Sequence, residues 1–171
     1  MSGARYFLLG FYGRHNFGDD LMLTALVSSL KAAGAGDISV FCDDDTIVRR
    51  LGAKIVRRSI LDLIFALIRS DILIQGGGTI FHDSYTGKHL YRYWVNLALY
   101  LTIFFIARLF RTKVILLGAG IGPVQHPVSA FICRTTLRLA SVVMVRDQES
   151  VTQLRKLGFP NDRILLGHDL A

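Results

Sequence analysis

"RYFLLGFYGRHNFGDDLMLTALVSSLKAAG", residues 5–34, decides how the chain is read. The apolar run "RYFLLGF" ends on a glycine-punctuated stretch and reads as a short buried strand. From "DDLMLTALVSSLKAAG" onward the apolar residues recur with helical period. Acidic residues occupy the first turn of that helix and Gly34 closes it. A strand, a glycine-rich loop and a helix in that order open a parallel α/β sheet.

The loop raises a chemical question. Gly13 and Gly18 bracket four residues, as in a phosphate-binding P-loop, yet Asp19 and Asp20 stand where that loop needs Lys and then Ser or Thr. The glycines at 10, 13 and 18 also miss the dinucleotide pattern G-x-G-x-x-G. Asn16, Gly18 and Asp19 instead crowd amide and carboxylate groups together, which suits sugar hydroxyls needing both donors and acceptors. The plainer reading of Asp19 is an N-cap favoured by the helix dipole.

Working outward, the alternation continues. "DISVFC", "AKIV", "DILIQ", "KVILLG", "SVVMVR" and "RILLG" read as strands. "DDDTIVRRLG", "SILDLIFALIRS", "PVSAFICRTTLRLA" and "DQESVTQLRKLG" read as helices, with Ser59 as a cap and Pro127 at a first helical position. Continuous apolar strands between helices imply a doubly wound, mainly parallel sheet of six to seven strands, with helices on both faces. Residues 1–171 form one domain in this reading. Such sheets bind ligands outside the carboxyl ends of their strands. Three strands end in glycine-rich loops there: "GFYGRHNFGDD", "QGGGTIFHDS" and "GAGIGP".

Residues 93–110, "YWVNLALYLTIFFIARLF", form a long aromatic helix. A membrane span needs about 20 apolar residues, whereas Asn96, Thr102 and Arg108 fall within this run. Leu97, Tyr100, Leu101, Phe104 and Phe105 make a helical stripe, so a buried core helix is expected. Peripheral contact with a membrane stays open, because Arg108, Arg111 and Lys113 follow the aromatics as an interfacial anchor does.

An apolar fraction of 51% is high for a free-standing domain of this length, which implies an apolar surface meeting a partner, a membrane or a further domain. A net charge of +7 favours anionic partners without choosing among them. Cys42 and Cys133 make no disulfide framework, consistent with a reduced, cytoplasmic setting. The N-terminal run reads as the first strand and not as a signal peptide. His15 and His168 fall in strand-end loops without the spacing of a metal site. The pairs Arg49–Arg50 and Arg57–Arg58 read as solvated faces, and no nucleic-acid motif accompanies them.

Four stretches together resemble the polysaccharide pyruvyl transferases: "GFYGRHNFGDDLMLTAL", "DILIQGGGTIFHDS", "KVILLGAGIGPV" and "VMVRDQESVTQLRKLG". The family pattern of Gly, then Asn-x-Gly-Asp, matches Gly13, Asn16, Gly18 and Asp19. Its triple glycine with a downstream Asp matches Gly76, Gly77, Gly78 and Asp83. Its G-I-G-P matches Gly120 to Pro123, including Gly122, and its Arg-Asp-x-x-Ser matches Arg146, Asp147 and Ser150. Asp20 stands where the family often has Glu.

The resemblance implies a Rossmann-like domain, the first of two that face across a cleft in a GT-B-like architecture. It implies transfer of an enolpyruvyl unit from phosphoenolpyruvate, with no cofactor, to a sugar of a cell-surface polysaccharide, making a pyruvate ketal. The acceptor would be a glycan or a lipid-linked saccharide, met in the cytoplasm or at the inner face of the membrane. The chain would be the acceptor-side half, inactive alone, with the donor pocket on a C-terminal domain that it lacks. Asp19 and Asp83 would orient the acceptor; Gly13, Asn16, Gly18, Gly76, Gly77, Gly78, His82, Gly120, Gly122 and Arg146 would line the substrate site. Two other functions fit the same architecture: a sugar-nucleotide-dependent glycosyltransferase, and a non-catalytic glycan- or partner-binding fragment.

Overall fold

Each stretch read above as a strand becomes one in the computed structural model, which describes residues 3–14 and 16–167. His15 and His168 lie outside the described residues. The strands are β1 (Arg5–Leu9), β2 (Asp37–Phe41), β3 (Lys54–Val56), β4 (Ile72–Gly76), β5 (Thr79–Phe81), β6 (Lys113–Ile121), β7 (Val142–Val145) and β8 (Ile164–Leu166). The helices are α1 (Phe17–Ala32), α2 (Asp45–Arg50), α3 (Ile60–Arg69), α4 (Gly87–Leu109), α5 (Pro127–Leu139) and α6 (Gln148–Lys156).

The sheet order is β3-β2-β1-β4-β6-β7-β8, with β5 beside β6. Every pairing is parallel. This is the doubly wound, Rossmann-like arrangement. Its order reverses between β1 and β4, which creates the crevice where such sheets take ligands. The loops after β1, β4 and β6 accordingly share one edge.

Side chains alternate across each strand. Leu8, Val40 and Ile74 face α1 and α2, whereas Phe7, Leu73, Leu116 and Val143 face the core shared with α3 to α6. The two faces are covered unequally. On the α1–α2 side, no helix among the described residues reaches β7 and β8, so Met144 is half-buried and its register partner Leu165 is exposed.

Helix starts follow their caps. Asp44, Ser59 and Asp147 accept hydrogen bonds from the backbone N–H groups of Thr46, Asp62 and Ser150, satisfying donors that the helix leaves orphaned. Pro127 takes the first position of α5 as expected.

Three features differ from the sequence reading. The sheet has eight strands because Thr79–Phe81, a strand of three residues directly following the glycine run, pairs with β6. β6 itself continues through "GAG" to Ile121. α4 starts at Gly87, ahead of the apolar run, because the polar turn "GKHLYR" is helical too. Its buried stripe runs through Tyr93, Leu97, Phe104 and Ala107, while Phe105, one step round the helix, is 57% exposed. By length and composition α4 is apolar enough to cross a membrane. In this fold it packs along β6 between α3 and α5.

Candidate functional site

The loop after β1 is organised by its own polar residues. Asn16, and not Asp19, is the N-cap of α1: its Oδ1 accepts from the Gly18 N–H at 3.2 Å. Asp19 sits in the first turn and accepts from Asn16 Nδ2 at 2.6 Å. Asp20 Oδ1 accepts from the Gly13 N–H at 2.9 Å and closes the loop on itself. Burial and the neighbouring Asp20 push the Asp19 carboxyl above its ordinary pKa, against the lowering effect of the Asn16 bond. The ionised carboxylate is therefore a better proton and hydrogen-bond acceptor than an ordinary one. It stands half-exposed at the crevice.

Beneath it lies Tyr12, 1% exposed, which the sequence reading did not single out. A Cβ added at Gly10 would come within 2.5 Å of the Tyr12 ring, and one at Gly76 would collide with its hydroxyl. The ends of β1 and β4 are thus glycine to admit this ring. The Tyr12 hydroxyl is buried and has no hydrogen-bond partner among the described residues. Its pKa is raised by burial first and by the Asp19 charge second. Two glycines opposite one aromatic were the available sequence signal.

Gly77 and Gly78 both have positive φ, 61° and 74°, a turn that other residues adopt at a cost. The Gly77 N–H donates to Leu117 O at 2.9 Å and Gly78 O accepts from Gly120 at 3.1 Å, tying the triple glycine to β6. Gly120 and Gly122 lie against Thr79 and His82, so that β5 can approach β6 closely.

Asp83 has a different neighbourhood from Asp19. It is 8% exposed, and its two oxygens accept from the backbone N–H groups of Gln125 and His126, both at 2.7 Å. It clamps the loop between β6 and α5. His82 does not pair with Asp83. Its ring lies 5.0 Å from that of Tyr85 and 6.0 Å from that of Tyr93, with Nε2 3.3 Å from the Tyr85 hydroxyl. Arg146 donates to Thr79 Oγ1 at 3.3 Å and lies 3.5 Å from Asp147. Asp147 caps α6, while the Ser150 hydroxyl accepts from the Ile121 N–H at 2.8 Å, so Arg-Asp-x-x-Ser fastens α6 to the end of β6.

A cavity of about 540 Å³ opens at the same edge, over α3 and α4. Arg14, Arg58 and Arg92 line it with His82, Tyr85 and Asn96, and no carboxylate among the described residues belongs to its wall. Arg14 and Arg58 share one carboxylate, Asp43, at 3.3 and 2.8 Å. Burial and then Arg14 lower the Arg58 pKa. Arg58 stacks over Phe41 and is half-buried, which corrects its reading as part of a solvated face. Only the crossover placed these three arginines together, from the loop after β1, the loop after β3 and α4. A larger hollow of about 700 Å³ lies at the amino ends of the strands among Arg5, Asp37 and Lys54. Ion pairs engage these three side chains, Arg5 with Asp71 and Lys54 with Asp37, and parallel sheets bind ligands at the opposite edge.

The family model "Polysaccharide pyruvyl transferase" matches residues 16–171. No curated protein matches the sequence. Among solved structures, the chain is similar to Anabaena Alr3699/HepE in complex with UDP, with a TM-score of 0.58 and 13% identity. That match covers 96% of this chain and 44% of the other. The complex of the same protein with UDP-glucose gives 0.58 and 14%, covering 98% and 44%. The chain therefore spans less than half the length of the structures it matches, and at these identities the likeness concerns the fold.

Proposed function

Since the chain belongs to the polysaccharide pyruvyl transferase family, we propose that it supplies the acceptor-side half of an enzyme that moves an enolpyruvyl unit from phosphoenolpyruvate onto a sugar. The reading rests on one observation beyond the family match: the Asn16–Asp19 pair at the mouth of the β1–β4 crevice, with the Asp19 carboxyl raised. In the proposed reaction a sugar hydroxyl adds to C2 of phosphoenolpyruvate while C3 gains a proton. Phosphate leaves, and a neighbouring hydroxyl closes the ketal at C2 and releases its proton. Asp19 orients the attacking hydroxyl as an acceptor, held by the amide of Asn16. Asp83 serves at one remove, by fixing the loop beside the crevice. The donor pocket is assigned to a part of the protein outside this chain, and a phosphoenolpyruvate donor puts the reaction in the cytoplasm.

The test is Asp19→Asn in the intact enzyme, which keeps the bond to Asn16 and removes the charge. The acceptor term of kcat/KM is expected to fall by roughly one to two orders of magnitude, with the KM for phosphoenolpyruvate unchanged. Near-normal acceptor kinetics would leave Asp19 a purely structural residue. A second reading, transfer from a sugar nucleotide, draws on the UDP and UDP-glucose of the similar structures. Acceptor-dependent release of a nucleotide in place of phosphate would establish it.

A further inference from the structure

The exposed side of α3 and α4 has a composition that the crevice does not account for. Leu61, Phe65 and Ile68 are exposed at helical spacing on α3, and Tyr91, Val95 and Phe105 on α4. The 23 residues of α4 contain no Asp or Glu, and α3 has only Asp62. Arginines rim the surface instead: Arg57 and Arg69 at the ends of α3, and Arg92 and Arg108 on α4. The arginine cavity opens into this surface, because Ile60 and Leu99 line it and are themselves exposed.

The geometry points to a docking face for a bilayer of anionic phospholipids, with a headgroup phosphate held by Arg14, Arg58 and Arg92. Apolar side chains ringed by arginines, with an aromatic at the rim, match the boundary between acyl chains and headgroups. Two arginines sharing one carboxylate retain a net positive charge, and Arg92 adds another, as a phosphate requires. Charge also decides against a second copy of this chain. A two-fold contact through α4 would set like charges together with no carboxylate from that helix to relieve them. The helix lies on the bilayer and does not cross it, since Tyr93, Leu97 and Phe104 hold its other side in the core. This surface stands independently of pyruvyl transfer.

Vesicle flotation of the protein, without phosphoenolpyruvate or acceptor, tests it. Vesicles of phosphatidylcholine with phosphatidylglycerol are expected to bind at least about tenfold more tightly than phosphatidylcholine alone. Arg14→Ala with Arg92→Ala should weaken that binding by about tenfold or more, whereas Arg49→Ala with Arg50→Ala, which removes equal charge from α2, should not. Leu61→Ser with Phe65→Ser should weaken it as well, with circular dichroism and melting showing that each variant is folded. Equal losses from the two arginine pairs would overturn the proposal by reducing it to net charge. Absence of vesicle binding, with inorganic phosphate raising the melting temperature only when Arg14 and Arg92 are present, would overturn it in favour of a soluble anion. Dimerisation abolished by Phe65→Ser, again without vesicle binding, would overturn it in favour of a second copy.

Discussion

Tyr12 shows how much one side chain governs at the switch point. Its ring explains Gly10 and Gly76, and its hydroxyl is buried below Asp19 without a protein partner among the described residues. An unmet buried hydroxyl costs about 1–3 kcal/mol, so Tyr12→Phe is expected to raise stability by roughly 1 kcal/mol in urea denaturation. A loss of stability would reveal a hydrogen bond that the hydroxyl makes. The same logic separates glycines that admit a neighbour from glycines that admit a ligand. Gly18 admits no protein neighbour, since a Cβ there would meet only Asn16 Oδ1 at 3.6 Å.

At the scale of elements, the carboxyl edge is assembled by side chains that reach between loops. Asp83, just after β5, holds the β6–α5 loop through two backbone N–H groups, and Ser150 on α6 holds the end of β6. Removing Asp83 leaves two partly buried donors unpaired, each bond to a charged acceptor being worth about 1.5–3 kcal/mol. Asp83→Ala is therefore expected to cost roughly 3 kcal/mol and to speed hydrogen exchange at Gln125 and His126. Unchanged exchange at those two amides would refute the clamp and return Asp83 to the candidate acceptor-orienting residues.

For the whole molecule, the unequal covering of the sheet sets the surface. The solvent-accessible area is 9531 Å², above the roughly 8400 Å² expected for a monomer of this mass. Exposed apolar side chains on α3, α4 and β8 account for part of that excess. The chain is expected to bind an apolar dye while retaining native near-ultraviolet circular dichroism, which distinguishes exposed faces from a loosened core. A dye-silent folded monomer would show that these faces are covered.

The parallel sheet, the order of its elements and most helix starts were legible in the residues because they rest on short-range physics. Period two or 3.6 is a property of neighbouring side chains, and Ser59 or Asp147 caps a helix through bonds spanning three residues. The family motifs likewise fall on loops at the carboxyl edge of the sheet. Their tasks were not legible. Asn16 takes the cap that Asp19, three residues later, suited equally by residue type, and the choice falls with the loop closure through Asp20 and Gly13. Asp83 meets partners 42 and 43 residues away, and Arg14, Arg58 and Arg92 converge from three separate segments. Such meetings depend on crossovers and register, which decide where distant side chains arrive only once the sheet is built.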